Sequence, residues 1–257
     1  KEPIDDIPVY AQDQDFLESE VEVFTFRQHY DFKKDVRLQT AMRYGTTDNG
    51  YVATGARGNI RHRNDTVAPN NATISLSTHQ GWQEVEYFVE QLNLYLDKEI
   101  ASMQHQFIVG AEFSDLKVMN GVYNITNKGP TNCRLGATGA GTNGYCITNG
   151  DDTPLHNLDE LMDRSVEKGK FDSDYQIETL SLSLMDTIDL TDHWILSLGT
   201  RLDAFDYTNT VATGAGLSVL TDYEYDDALW NYQAGLTYKI NEQGNVYFNY
   251  STSSEIN

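Results

Sequence analysis

The chain has 257 residues, a formal net charge of −21 and 39% hydrophobic residues. That acidity argues against nucleic acid as a partner, because the phosphates would be repelled. No stretch approaches the roughly 20 apolar residues a spanning helix needs, so a helical membrane protein is excluded, whereas a β-barrel, half of whose strand residues are polar, is not.

Residues 1–15 are acidic and irregular, with Pro3 and Pro8, and the first six residues lack the apolar core of a signal peptide. Phe24, Phe26, Gln28 and Tyr30 then alternate with Val23, Thr25, Arg27 and His29. A short turn at Phe32–Asp35 leads to Val36, Leu38, Thr40, Met42 and Tyr44, set against Arg37, Gln39, Ala41 and Arg43, which completes a long hairpin. Residues 46–81 read as a loop rich in Gly, Asn and Thr. Strand character returns near Val85, with Phe88, Leu92, Leu94 and Leu96 on one face, breaks at 97–104, and resumes with Phe107, Val109, Ala111 and Phe113.

Residues 119–171 form the longest interruption, and loops of that length are usually functional. Within it, Thr153-Pro154 predicts the start of a short helix, with Leu155, Leu158, Leu161 and Met162 on one face, packing on the rim.

Three long alternating runs follow. The first carries Leu180, Leu182, Leu184 and Ile188. The second, after a break at 190–193, carries Trp194, Leu196, Leu198 and Leu202. The third, after a Gly-, Ala- and Thr-rich loop at 208–221, carries Trp230, Tyr232, Leu236, Tyr238 and Ile240. The opposite positions, among them Ser181, Ser183, Arg201, Asp203, Asn231 and Gln233, are polar. A last strand starts at Asn245.

Period-two alternation gives each strand one apolar and one polar wall. About eight strands result, joined alternately by short breaks, near 33, 100, 191 and 242, and long ones, at 46–83, 119–172 and 208–224. Short turns at one end and long loops at the other are the outer-membrane pattern, and 16 Tyr, 10 Phe and 3 Trp suit its aromatic girdles. The expected fold is all-β, an antiparallel transmembrane β-barrel with long extracellular loops, its grease turned toward lipid.

Candidate chemistry is sparse. Cys133 and Cys146 flank a Gly- and Thr-rich segment of one loop and read as a disulfide of an oxidising compartment; two thiols alone make a poor zinc site. Residues 139–144 match G-x-G-x-x-G but lack the strand before and the helix after that a dinucleotide site requires. Asp151-Asp152 reads as a solvated turn before a Ca²⁺ site. His105, at a strand start, and His193, in a short turn, read as interfacial polar residues. No catalytic set and no metal site is nominated. The densest positive patch is Arg57, Arg61, His62 and Arg63.

The runs Phe24-Thr25-Phe26-Arg27, Tyr44-Gly45-Thr46-Thr47 and Tyr51-Val52-Ala53-Thr54-Gly55-Ala56-Arg57-Gly58 resemble the mid-barrel of TonB-dependent siderophore receptors. So do Gln104–Phe113 and the closing Asn245–Ser253. The catecholate-type ferric siderophore receptors are the nearest subgroup. The motifs are patterns of aromatic residues and glycine, not a catalytic signature. The resemblance implies a Gram-negative outer-membrane receptor whose loops capture a ferric siderophore and whose plugged lumen passes it inward with energy delivered through TonB. It implies no enzyme and no cofactor beyond the ferric siderophore itself.

Such barrels have about 22 strands. Eight strands, no plug domain, no TonB-interacting segment and an end at Glu255-Ile256-Asn257 without a terminal aromatic lead us to expect that residues 1–257 are an internal part of the barrel domain of a longer polypeptide. Arginine donors and tyrosine rings suit an anionic aromatic chelate, which makes Tyr51, Arg57, Arg61 and Arg63 the candidate ligand contacts. The same charges would also suit lipopolysaccharide phosphates or salt bridges within the loop. A structural, adhesion or porin-like barrel, a barrel hydrolase, and cobalamin or a glycan as cargo remain open at this point.

Overall fold

The computed structural model describes residues 10–58, 73–130, 144–147, 153 and 155–255. The strands are β1 (Phe16–Lys33), β2 (Val36–Gly58), β3 (Thr73–Ile100), β4 (Met103–Pro130), a short β5 (Gly144–Cys146), β6 (Met162–Asp189), β7 (Trp194–Thr213), β8 (Val219–Asn241) and β9 (Gly244–Ser251). They form one sheet in the order β1-β2-β3-β4-β6-β7-β8-β9, with β5 paired to β3. Among the described residues this path does not close on itself. The eight strands of this path are those expected from the alternation.

Local chemistry explains the turns. Thr191 Oγ1 accepts from the N–H groups of His193 and Trp194, and Asn241 Oδ1 accepts from the N–H of Gln243, so each side chain closes its own bend. The β3–β4 turn uses two left-handed residues, Ala101 at φ 50° and Ser102 at φ 63°, which matches the twist of a two-residue hairpin.

The strands are far longer than expected. β3, β4 and β6 each have 28 residues, where a bilayer crossing takes about 9–11. The loop expected at 46–83 is strand as far as Gly58 and from Thr73 onward, and that expected at 119–172 is strand to Pro130 and from Met162. The loop expected at 208–224 shrinks to residues 214–218, which turn on left-handed Gly214, Gly216 and Leu217. Outside the hydrocarbon layer neither face of a strand has to be apolar, so the alternation fades while the hydrogen-bond ladder continues.

The chain divides into two units, 1–20 with 48–84 and 120–172, and 21–47 with 85–119 and 173–257. In the second unit, β6 from Ser173 onward, β7, β8 and β9 pair antiparallel, with Ile188–Leu196–Leu236–Phe248 as one row; the register is continuous from β6 to β8 and shifts once between β8 and β9, at Lys239–Asn241. Side chains of one such row share a face. That face carries Leu180, Leu182, Leu198, Trp230 and Phe248, and it is open: Leu180 is 55% and Phe248 71% exposed. The opposite face carries the rows Met185–Gly199–Gln233–Ser251 and Ser183–Arg201–Asn231. Apolar out and polar in is what the alternation predicted.

The first unit has a sealed core of Ile74, Leu76, Tyr145, Leu161 and Met162. Full burial of side chains of this size contributes about 1.5–3 kcal/mol each. The helix expected from residue 153 is absent there: Leu158–Glu160 form a single 3-10 turn and Met162 already begins β6, while Pro154 lies outside the described residues. Long-range hydrogen bonds replace the helical ladder. Gln12 Nε2 donates to the Leu158 carbonyl, the Met162 N–H donates to Gln12 Oε1, and the Asp13 N–H donates to the Asp159 carbonyl. Without a helix, Leu161 and Met162 enter the core and Leu158 packs against it, whereas Leu155 is not among its residues.

Candidate functional site

In the first unit Tyr51 lies in β2, 42% exposed, with its ring against β3 at Gly81; a Cβ there would sit 3.2 Å from the ring. Around it Ser19 Oγ donates to Asn49 Oδ1 at 2.7 Å and Gln83 Nε2 to Asn120 Oδ1 at 2.9 Å. These groups line a recess of about 460 Å³ with Trp82 and Glu18. Arg57 is in β2, near its end, and Cys146 in β5, opposite Thr73, with their side chains outside the described set. Arg61, Arg63, Cys133, the glycine motif up to Asn143, and Asp151-Asp152 lie outside the described residues.

Alternation did not reveal the knot at the start of β6. The Arg164 side chain is fully buried. It ion-pairs with Asp15, donates to the hydroxyls of Thr54 and Thr78, and touches the Met162 sulfur. Asp15 also accepts from the N–H groups of Gln12 and Thr54 and from the Thr54 hydroxyl. Burial alone would raise the Asp15 carboxyl; these hydrogen bonds outweigh it and hold the pKa below the ordinary value. Nearby, the Glu84 carboxylate raises the pKa of Lys168, burial working the other way, and the ammonium lies 4.6 Å over the Trp82 ring.

In the second unit the polar face is organised by Arg201. Its guanidinium donates to Glu112 at 2.8 Å, to Asp203 at 2.7 Å and to the Ser181 hydroxyl at 2.8 Å. Beside it a recess of about 450 Å³ is lined by Asn93, Tyr95, Asn231 and Gln233. Farther along β7 the same face turns aromatic: Ile177, Tyr207 and Tyr225 form one cross-strand row, and Tyr175, Asn209 and Tyr223 the next. At that level the other face carries the row Glu178–Asp206–Asp226.

His105 and Asp186 pair at 2.8 Å across β4 and β6. Both are nearly buried, and the imidazole stacks on Phe107, so His105 is a packed residue and not merely an interfacial one. Its Nε2 and Asp186 Oδ1 meet no further partner among the described residues. Among those residues no group of three His, Cys, Asp or Glu side chains gathers as for a metal.

A sheet with an open apolar face, a polar opposite face, aromatic borders and short turns at one end is a membrane β-barrel wall. The model of the family described as "TonB dependent receptor-like, beta-barrel" matches residues 2–255. The chain belongs to that family, and it is an outer-membrane protein of the Gram-negative type.

It is 27% identical over 250 residues to a protein of Acinetobacter baumannii named "Probable TonB-dependent siderophore receptor PiuA", covering 95% of this chain and 31% of that protein. It is 24% identical to the "Catecholate siderophore receptor Fiu" of Escherichia coli O157:H7, covering 96% and 32%. The crystal structure of the siderophore receptor PiuA from Acinetobacter baumannii superposes with a TM-score of 0.69 at 23% identity, covering 94% of this chain and 33% of that one, which shows the shared fold. The chain thus spans about a third of the length of the curated relatives it matches.

Proposed function

We propose that the chain is part of the barrel domain of a receptor for TonB-dependent uptake of a ferric siderophore, in which it supplies wall and mouth. The observation that carries the reading is the second unit's wall, greasy outward and amide-, arginine- and tyrosine-lined inward, in a family whose two relatives above are named siderophore receptors. The cargo, an iron(III) chelate with planar aromatic donors, is moved unchanged, so no catalytic group is required. Tyr51, Arg57, Arg61 and Arg63 are the capture residues: the phenol gives contact area and the guanidinium groups meet the chelate's negative charge. Cys133 and Cys146 form a disulfide that closes their loop. A plug carried by other parts of the polypeptide contacts TonB, and lipid and lipopolysaccharide surround the apolar face.

The test is growth of an iron-starved outer-membrane host on a ferric catecholate as sole iron source, with the full-length receptor. Uptake is expected only when TonB is present. Replacing Arg57, Arg61 and Arg63 together by alanine is expected to weaken binding at least about tenfold, the size of one lost charge-assisted hydrogen bond. TonB-independent passage of unrelated small solutes at the same rate would favour a porin-like barrel and reject the reading.

A further inference from the structure

We propose that Arg164 is a positioning residue for capture: with Asp15 it clasps the stem of β2 and β3 from behind and sets where Tyr51 and Arg57 stand, without touching the cargo. The proposal rests on the reading of those two residues as capture residues.

The first argument is reach. Arg164 belongs to β6; its Nη1 donates to the Thr54 hydroxyl of β2 at 3.2 Å and to the Thr78 hydroxyl of β3 at 2.9 Å, and its Nη2 pairs with Asp15, just ahead of β1. One guanidinium thus joins three strands of the first unit to the segment before β1. Asp15 in turn accepts from the Thr54 N–H at 3.0 Å and from the Thr54 hydroxyl at 2.9 Å, so Thr54 is held by both members of the pair.

The second argument is place. Thr54 lies three residues after Tyr51 and three before Arg57, roughly 10 Å of strand either way. Thr78 stands at the same remove from Gly81, where the Tyr51 ring rests, and from Ser75, which pairs with Gly144 of β5. β2 and β3 are also the two strands that residues 59–72, with Arg61 and Arg63, connect. Odd separations put side chains on opposite faces of a strand, so Thr54 faces away from Tyr51. Thr78 shares its face of β3 with Ile74 and Leu76 of the sealed core. Arg164 is fully buried on that side and does not line the recess beside Tyr51. Its action on capture is therefore indirect.

The third argument is the choice of residue. A buried ion pair is weak evidence for stability, since apolar side chains of similar volume often serve as well or better. Ile74, Leu76 and Met162 already offer apolar surroundings. Arg164 Nε meets no partner among the described residues, which is a further cost. What a guanidinium adds over a leucine is direction. Its planar fork accepts one arrangement of the partners around it. The knot specifies geometry at the foot of the segment that carries the arginines.

The test uses the full-length receptor in outer membranes and radio-iron complexed by 2,3-dihydroxybenzoate. Dissociation constants are measured without TonB, and saturated uptake per receptor with it. Asp15→Asn/Arg164→Met removes both charges, leaves the net charge unchanged and keeps an acceptor for the Thr54 N–H. It is expected to weaken binding about fivefold and to leave saturated uptake within about twofold, the size of a coupling that acts through intermediate residues. Thr78→Val, which releases only the hold on β3, is expected to weaken binding about twofold. In a Tyr51→Ala/Arg57→Ala background, itself weakened, the Asp15→Asn/Arg164→Met change is expected to add nothing, because the contacts it places are gone.

Wild-type affinity in the knot variant overturns the proposal. So does a loss that repeats in full in the Tyr51→Ala/Arg57→Ala background, which puts the effect elsewhere. A fall in saturated uptake equal to the fall in affinity also overturns it and makes the knot structural. If the knot variant does not reach the membrane, Thr78→Val decides by the same criteria. Undiminished binding by Tyr51→Ala/Arg57→Ala refutes the capture assignment instead, and a wild-type receptor that neither binds nor imports the complex refutes the receptor reading.

Discussion

The two units of this chain are held together by opposite means. The second keeps its largest apolar residues on the outside, with Leu182 54% and Tyr250 60% exposed, and is complete only when lipid covers them. The first buries its own, with Tyr145 at 0%, Val52 at 1% and Leu161 at 2%, and locks polar groups among them. A strand in a bilayer borrows its core from the membrane, whereas a strand in water needs one of its own, here built from residues 10–15, β5 and residues 155–162. Substitutions that weaken one unit should therefore leave the other largely intact.

The largest effect is expected at Arg164. Arg164→Met leaves Asp15 charged and half-enclosed, which costs about 3–5 kcal/mol for a buried pair. Hydrogen exchange should rise at the Thr54 and Met162 amides, which donate to Asp15 and Gln12, and not along β7. Equal acceleration along β7 would merge the two units into one. Acid should act the same way. Asp15 has a lowered folded-state pKa, so its stabilisation is fully present above the unfolded value, about 3.9, and is lost as pH falls through the lower folded one. Protection of the Thr54 amide should fall there in wild type and not in Asp15→Asn.

Next in size is a charge placed on the lipid face. Leu198→Arg is expected to cost about 2–4 kcal/mol near the bilayer midplane. Thr208→Arg, on the same face of the same strand but beyond the apolar band, should stay within about 0.5 kcal/mol. Unfolding in urea from lipid vesicles compares the two. Equal costs would mean that the apolar face does not meet lipid.

Asp186→Leu alone strips His105 of its partner and should cost about 2 kcal/mol, whereas the double change to His105→Leu/Asp186→Leu should return most of it. The smallest effect is a gain: Ala101→Asn with Ser102→Gly relieves two left-handed residues in the β3–β4 turn and should add about 1 kcal/mol.

What the sequence could disclose follows from the same contrast. Leu180–Ile188, Trp194–Leu202 and Trp230–Ile240 were legible because lipid on one side and water on the other force strict alternation. Where water bathes both sides that pressure stops, so β2 beyond Tyr44, β4 beyond Met119 and β7 beyond Tyr207 read as loop although the pairing continues. The Asp15–Arg164 pair joins residues 149 positions apart, beyond the reach of any local pattern. The helix expected near Leu158 lost to the same long-range bonds, through Gln12. Of the four candidate ligand contacts, Tyr51 was read as part of a loop and lies in β2, while the tyrosines of β6–β8 were hidden because aromatic content had been assigned to girdles. A signal was present: Tyr207, Tyr223 and Tyr225 have the parity of Arg201 and Gln233, not of Leu198 and Leu236.

The claim beneath the whole account is which side of the β6–β9 wall meets lipid. Nitroxide labels placed singly at Leu182, Leu198 and Leu236, and at Ser183, Asn231 and Gln233, in receptor reconstituted into phospholipid vesicles, measure this by collision with molecular oxygen against a water-soluble nickel chelate. The first three should collide preferentially with oxygen and the second three with nickel. The reverse preference, or no difference between the two sets, would contradict it.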